Sequence, residues 1–237
     1  MVQKAGLKAG DSLLEIGCGP GIATTSFAAR GLDMQCVEPS PAACELARQA
    51  CESFDSVTVN NATFEDFDLN NKQYDAVLAA TSFHWVSPAV ACKKSAAALK
   101  PGGSLILLWA TPPQPDEALC QALQPIYQQY PEAAEIRYQW RQQPYYQANF
   151  EKFAKTISAS EWFEPATVAI ETHHSTYSIE KYLALLSTLS DYIALPAQTQ
   201  KDLMAALAMR LKEEKGTEPL ALTHWFAAQV SPLVADA

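Results

Sequence analysis

The first half of the chain alternates short apolar runs with segments of helical periodicity. The apolar runs are rich in Leu, Ile and Val and lack the polar alternation of a half-exposed strand. Strands that are apolar on both faces and separated by helices are typical of a parallel sheet covered by helices on both sides. The pattern therefore predicts an α/β fold with a doubly wound, Rossmann-like sheet. The predicted strands are residues 12–17, 33–38, 56–60, 74–80 and 104–110.

Two of the intervening helices begin with the same dipeptide, at Ser40-Pro41 and at Ser87-Pro88. A serine at the N-cap accepts a hydrogen bond from the first helical turn, and proline fits the first helical position. We expect the helix after Ser87 to stop at the Pro-Gly-Gly of residues 101–103. Another helix is predicted over residues 22–30.

The second half of the chain has a different texture. Residues 111–162 are rich in Gln, Tyr and Pro and show no strand pattern. Residues 166–178 and 220–230 are predicted to be two further strands that complete a seven-stranded, mostly parallel sheet. Amphipathic patterns over residues 178–193 and 198–214 predict helices, which we expect to form a lid or insert.

Composition and net charge indicate which class of molecule the protein binds. Hydrophobic residues make up 49% and charged residues 18%, as in globular proteins. The net charge is −9, from 26 acidic and 17 basic residues, which disfavours nucleic acid because its phosphates would be repelled. A small-molecule or protein substrate is favoured over nucleic acid; the oligomeric state is not indicated.

Cysteine usage and the chain's hydropathy predict a cytoplasmic protein. None of the six cysteines forms a C-x-x-C pair, so we expect buried free thiols rather than zinc ligands or disulfides. No apolar run is long enough for a membrane span, and the first residues lack a signal-peptide pattern. His173 and His174 would point to opposite faces of a strand, so no metal site is predicted.

A glycine-rich loop follows the first predicted strand. Gly17, Gly19 and Gly21 form G-x-G-x-G, and Glu38 ends the second strand. Ligands of such sheets bind at the carboxyl ends of the strands, where a carboxylate accepts the two hydroxyls of a ribose. No Lys-Ser/Thr follows the glycines, so a triphosphate is not expected. The pattern favours a nucleoside whose ribose carries no phosphate.

One feature separates this loop from the dinucleotide fingerprint. That fingerprint, G-x-G-x-x-G, requires a third glycine where this chain has Ile22. An NAD-dependent oxidoreductase is therefore an alternative that the loop disfavours.

Five motifs in order resemble those of the class I S-adenosylmethionine-dependent methyltransferases. "LLEIGCGPG" resembles their first motif, "VEPS" their acidic ribose motif and "NATFEDF" their adenine motif. "YDAVLAATSFHWV" and "LKPGGSLILLW" resemble their fourth- and fifth-strand motifs, and the resemblance covers about residues 7–110. "SFHWV" and "LKPGG" are most similar to the small-molecule branch, which includes trans-aconitate methyltransferase-like and methyltransferase type 11 proteins.

The resemblance implies S-adenosylmethionine as cofactor and assigns roles to several residues. Glu38 would bind the ribose, the backbone amide of Phe64 the adenine, and Ala80 and Thr81 the methionine part. Thr63 stands where many members have an Asp facing the adenine amino group. The implied cofactor-binding residues are Glu15, Gly17, Cys18, Gly19, Gly21, Glu38, Pro39, Thr63, Phe64, Ala80 and Thr81.

The same resemblance implies a division of labour along the chain. Residues 1–110 would be the cofactor-binding half, and residues 111–237 a helical substrate cap together with the last two strands of the same sheet. Only residues 1–11 precede the first strand, where members of the family usually carry one or two helices. We therefore expect a late start, a truncation, or a lid supplied wholly by the second half.

Methyl transfer needs a positioned acceptor and, for some acceptors, a base. His84, just past the fourth strand, is the candidate base; alternatively, His84 and Trp85 only shape the pocket. Trp85, Arg137, Trp140 and Arg141 are candidates to bind the substrate, and the arginines with the neighbouring aromatic residues suit a planar or carboxylate-bearing one. The spacing of the two arginines equally fits one exposed helical face.

The function predicted from these residues is methyl transfer from S-adenosylmethionine to a small molecule, with a carboxylate as one option. A second alternative to this enzyme is a protein that binds the cofactor without turnover. It is motivated by the short N-terminus and by Thr63.

Overall fold

The structure, a computed structural model, describes residues 5–71, 73–133, 136 and 140–235. Its seven strands form one sheet in the order β3-β2-β1-β4-β5-β7-β6. The pairs among β1 to β5 are parallel, and β7 runs antiparallel to β5. This order confirms the doubly wound, mostly parallel sheet predicted from the sequence. The strands are β1 (Ser12–Ile16), β2 (Asp33–Glu38), β3 (Val57–Asn61), β4 (Tyr74–Ala80), β5 (Leu99–Ala110), β6 (Thr167–Tyr177) and β7 (Leu220–Pro232).

In the first half of the chain, the helices lie where the sequence predicts them. In the second half, the structure shows helices that the sequence pattern does not predict. Residues 111–162, where no element was assigned, contain two helices, and the pattern over residues 178–193 divides into two. The helices are α1 (Ile22–Ala28), α2 (Pro41–Ala50), α3 (Pro88–Ala98), α4 (Glu117–Gln128), α5 (Gln143–Ser158), α6 (Ile179–Leu186), α7 (Ser190–Ile193) and α8 (Ala197–Lys215). Short 3₁₀ turns lie at Phe83–Trp85 and Pro131–Ala133.

The helix after Ser87 ends earlier than predicted. It stops at Ala98, and β5 begins at Leu99, so the Pro-Gly-Gly lies inside a strand rather than after a helix. Leu99 pairs with Tyr74, and the register then shifts before Ala76 pairs with Ser104. The extra residues bulge there because proline lacks an amide for the ladder and Gly102, at φ +79°, permits the bend.

The chain forms two compact units. The first comprises residues up to Ala110, Gln147–Glu171 and the chain from Phe226 onward. The second comprises Thr111–Tyr146 and Thr172–Trp225. The chain passes from the first unit to the second at the predicted boundary of residue 110, and it changes unit again after residues 146, 171 and 225. Residues 147–171, which lie in the predicted cap segment, belong to the first unit. The role of residues 111–237 as a substrate cap stays a prediction.

Each unit has its own apolar core. The core of the first unit includes Leu13, Leu32 and Leu78, all without exposed surface. The core of the second unit includes Leu203 and Leu207 on α8, which are separated by about one helical turn and therefore share a face. Burial of these faces stabilises each unit separately.

The six cysteines are buried free thiols. Within the described ranges, no helix has the length and hydrophobicity needed to cross a membrane.

Candidate functional site

The turn after β1 requires glycine at position 17. Gly17 has φ +64°, and its amide donates to the carbonyl of Val37 at 2.8 Å. A Cβ on Gly17 would lie 2.7 Å from the Cβ of Ser82, closer than two carbons can approach. The Ser82 hydroxyl in turn donates to the carbonyl of Ile16. This contact holds the end of β1 against the segment that follows β4.

The other two glycines of the loop have different surroundings. Gly19, at φ +54°, has open space where a Cβ would stand, so its backbone is accessible to a ligand. Gly21 is the N-cap of α1, and its Cβ would lie 3.2 Å from the Cα of Ala47 on α2. Gly21 therefore lets α1 pack closely on α2.

The carboxylate of Glu38 connects the end of β2 to the glycine loop. Its Oε2 accepts a hydrogen bond from the Gly19 amide at 2.9 Å, and its Oε1 accepts one from the Ser40 amide at 2.8 Å. The side chain is largely buried, and each oxygen keeps a lone-pair position for a further donor. Each oxygen of Glu38 can therefore accept one further hydrogen bond.

A cleft of about 960 Å³ opens at the carboxyl ends of β1, β2, β4 and β5. Every predicted cofactor-binding residue except Gly21 lines it, as does Trp85. The lining residues all belong to the first unit. They are Glu15, Ile16, Gly17, Cys18, Gly19, Pro20, Ile22, Ala23, Val37, Glu38, Pro39, Thr63, Phe64, Glu65, Ala80, Thr81, Ser82, Trp85, Val86, Leu108, Trp109, Ala110 and Phe226.

Thr81 has a strained backbone where it lines the cleft. Its φ of +56° is costly for a β-branched residue. The amide of Thr81 donates to the carbonyl of Leu108 at 2.7 Å, which fixes the turn after β4 against β5. Strain of this kind is concentrated at functional sites.

Glu15 lies beneath the loop with no exposed surface. The hydroxyl of Thr24 donates to its Oε2 at 2.6 Å, whereas Oε1 is buried without a hydrogen-bond partner. Burial raises the pKa of Glu15 to about 7, and the hydrogen bonds from Thr24 and Cys36 oppose the shift. Glu15 therefore offers one unpaired acceptor at the base of the cleft.

Thr63 is engaged within its own loop. Its hydroxyl donates to Oδ2 of Asp66 at 2.7 Å and accepts from the Asp66 amide at 3.1 Å. Phe64 is buried, and the ammonium group of Lys94 lies 5.4 Å from its ring centroid. The loop is thus ordered by local bonds.

His84 lies beside the cleft rather than among the residues that line it. Its ring centroid is 4.8 Å from that of Trp85 and 5.9 Å from that of Trp109. Partial burial lowers the pKa of His84, so the imidazole is neutral at pH 7. These contacts support its role in shaping the cleft, and its role as a base stays a prediction.

Of the predicted substrate-binding residues that the structure describes, Trp140 and Arg141 belong to the second unit and Trp85 to the first. Arg137 lies outside the described residues, and Trp140 and Arg141 precede α5 in a loop. The guanidinium of Arg141 lies 4.8 Å from the ring centroid of Tyr145, and its backbone bonds to the side chain of Gln114. Arg141 is not helical, so the interpretation of an exposed helical face is wrong for it.

Two aromatic residues of the cleft were missed in the sequence. Trp109 is near the end of β5, and an apolar run that reaches the carboxyl edge of the sheet was a usable signal. Phe226 reaches the cleft because β7 pairs Phe226 with Ala110, and no local pattern announces that pairing. Among the described residues, no group of three His, Cys, Asp or Glu side chains is arranged to hold a metal.

Comparison with known proteins bears on the same segment. Residues 14–107 match the family model described as a methyltransferase domain, Methyltransf_11. An uncharacterised methyltransferase of Mycobacterium tuberculosis is 38% identical over 99 residues, which cover 42% of this chain and 40% of that protein. A demethylmenaquinone methyltransferase of Tropheryma whipplei is 32% identical over 103 residues, 43% of each chain. The matches therefore span less than half of these relatives.

The fold has been observed in solved structures. A protein of Anaeromyxobacter dehalogenans, described as a candidate type II methyltransferase, superposes with a TM-score of 0.66 at 20% identity. The superposition covers 96% of this chain and 91% of that one. Residues 14–107 are therefore similar to a methyltransferase domain, and the chain has the fold seen in that solved structure.

Proposed function

We propose that the protein transfers a methyl group from S-adenosylmethionine to a small-molecule acceptor. The observation that carries the proposal is the Glu38 carboxylate, which lines the cleft beside the open backbone of Gly19. A nucleoside whose ribose carries free hydroxyls matches this pair, because the carboxylate accepts the hydroxyls and glycine allows close approach.

The residues of the cleft fit the cofactor in two further respects. Oε1 of Glu15 is a buried acceptor without a partner, which suits a donor such as an amino group. The apolar lining near Phe64 suits an adenine ring. When bound, S-adenosylmethionine supplies an activated methyl group on a sulfonium sulfur.

The chain's own contribution is to position the acceptor and to exclude water. Trp85 after β4, Trp109 on β5 and Phe226 on β7 line one side of the cleft. Rigid placement of an acceptor accelerates transfer because the orientational entropy is lost on binding rather than in the reaction. Neutral His84 is available to accept a proton from acceptors that must lose one.

The proposal extends to a small-molecule acceptor in general. The narrower expectation of a carboxylate acceptor rests on Arg137 and Arg141 and on the affinity of guanidinium for carboxylates. A small-molecule acceptor is supported by one of the relatives, a demethylmenaquinone methyltransferase, whose named acceptor is a small molecule.

Calorimetric titration with S-adenosylhomocysteine tests the proposal. We expect micromolar binding to the wild type and a loss of about 10- to 100-fold in Glu38→Gln, because hydrogen bonds to a charged group are lost. The matched control is Glu45→Gln, which replaces an exposed acidic residue of α2 and should bind like the wild type. Circular dichroism verifies that both variants are folded.

Three results would count against the proposal. Absence of S-adenosylhomocysteine binding by the wild type would refute the cofactor assignment. Binding of NAD in its place would support the oxidoreductase. Cofactor binding without methyl transfer to any acceptor in a broad panel would support the non-catalytic alternative.

A further inference from the structure

The charged residues of the cleft lie on one side of it. Glu15 is on β1, Glu38 ends β2, and Glu65 is in the loop after β3. In the sheet order β3-β2-β1-β4-β5-β7, these three elements are consecutive and form one end of the sheet. Two of the carboxyls are already engaged, by the Thr24 hydroxyl and by two backbone amides. This side carries the residues proposed to bind the cofactor.

The other side of the cleft is apolar and aromatic. Trp85 follows β4, Trp109 is on β5, and Phe226 is on β7. Ala80, Val86, Leu108 and Ala110 add apolar surface, and Thr81 and Ser82 are the polar, uncharged residues of this side. No side chain on this side carries a charge among the lining residues that the structure describes.

The aromatic side chains are held in place from behind. The indole Nε1 of Trp109 donates to Oε1 of Gln229 at 3.1 Å, and the Phe153 ring stacks on Trp109 with centroids 4.3 Å apart. His84 contacts the rings of Trp85 and Trp109. Trp109 is itself only 6% exposed, so the accessible aromatic surface belongs to Trp85, which is 74% exposed, and to Phe226, which is 39% exposed. Large aromatic surfaces that line a cleft and remain exposed mark a binding site.

The charges of the cleft lining disfavour an anionic acceptor on this side. The described lining residues of the cleft include no Lys, Arg or His, and its charged members are all acidic. A carboxylate or phosphate placed there would lose its hydration without gaining a counter-charge. A neutral ring loses little hydration and gains stacking contacts with the aromatic side chains.

We propose that the acceptor is a neutral, planar aromatic molecule that packs against the exposed rings of Trp85 and Phe226, beside the buried ring of Trp109. This inference rests on the proposed function, because the bound molecule is a methyl acceptor only if the protein transfers a methyl group. The binding site itself is defined by the aromatic side chains, so its occupancy is measurable with or without cofactor.

Two ring compounds that differ in charge test the inference. 2-Naphthol is neutral at pH 7, whereas 2-naphthoate has the same rings and one negative charge. We expect 2-naphthol to bind the full chain about tenfold or more tightly than 2-naphthoate, measured by calorimetry and by quenching of tryptophan fluorescence. The titrations are run with and without saturating S-adenosylhomocysteine.

Variants locate the site. Trp85→Ala should weaken binding of 2-naphthol about tenfold, because the exposed ring is lost, and Trp85→Phe should retain most of it. Met209→Ala removes an apolar side chain of similar exposure, 66%, on α8 outside the cleft lining, and should change nothing. Trp85 is mostly exposed, so these variants are expected to fold.

The outcomes separate this inference from the proposed function. Equal or tighter binding of 2-naphthoate, or unchanged 2-naphthol binding in Trp85→Ala, would overturn the neutral aromatic acceptor while leaving cofactor binding intact. Failure of 2-naphthol to bind protein that binds S-adenosylhomocysteine would do the same. Loss of S-adenosylhomocysteine binding alone would count only against the proposed function.

Discussion

At the end of β1 the carboxyl group of Glu15 is sealed from solvent, with the Thr24 hydroxyl at 2.6 Å as partner of one oxygen. Burial raises the pKa of Glu15 from its ordinary 4.5 to about 7, because the charged form loses its hydration. The folded state therefore holds the proton more tightly than the unfolded state. Stability from this group is complete below pH 4.5 and is lost as the pH rises towards and through 7.

We predict that Glu15→Gln removes this pH dependence. The free energy of unfolding of the wild type, relative to that of the variant, should fall by about 2–3 kcal/mol between pH 5 and pH 8. Urea denaturation at several pH values measures it, with Glu45→Gln as the control for losing one negative charge. An unaltered slope in Glu15→Gln would assign the pH dependence to a different group.

At the scale of elements, the two Ser-Pro helix starts prove unequal. The Ser40 side chain accepts a hydrogen bond from the Ala43 amide, so it caps α2 as the sequence predicted. Ser87 occupies the same position before α3 but makes no capping hydrogen bond through its side chain. The dipeptide sets where each helix begins, and the surrounding backbone decides whether the hydroxyl reaches the first turn.

We predict different costs for removing the two hydroxyls. Ser40→Ala should lower the free energy of unfolding by about 1 kcal/mol, whereas Ser87→Ala should change it by only a few tenths. Chemical denaturation of both variants beside the wild type measures the difference. Equal losses would show that the capping bond of Ser40 contributes nothing specific to α2.

At the scale of the whole molecule, the chain builds two separate cores. Leu207 on α8 is fully buried in the core of the second unit, and Leu78 on β4 is fully buried in that of the first. Leu78 pairs in register with Glu15, next to the glycine loop. The described lining of the cleft belongs to the first unit.

We predict that Leu207→Ala and Leu78→Ala each lower the free energy of unfolding by about 2–5 kcal/mol, since each leaves a cavity. Only Leu78→Ala should also weaken S-adenosylhomocysteine binding, because its cavity lies beneath the end of β1. Denaturation combined with calorimetry below the unfolding transition separates the two effects. A large loss of affinity in Leu207→Ala would place the second unit in cofactor binding.

Local patterns were sufficient for much of this protein. The strands from β1 to β4, the start of α2, the glycine loop and the cleft position of Glu38 were predicted because each depends on nearby residues. Apolar runs, Ser-Pro pairs and glycines carry their conformational preferences within a few positions. The helix α4 was also within reach, since Asp116 caps it and apolar residues recur along one face, but the Gln-rich segment obscured it.

Other features were decided only by the tertiary structure. The antiparallel pairing of β7 with β5 brings Phe226 to the cleft from more than a hundred residues away in sequence. The hydrogen bond that the Gly19 amide donates to Glu38, and the return of residues 147–171 to the first unit, likewise join segments that are separated in sequence. Such contacts follow from packing of the complete sheet and its cores, which local periodicity does not encode. The sequence by itself thus determined the fold class and the position of the glycine loop, and the tertiary structure determined the aromatic side of the cleft opposite Glu38.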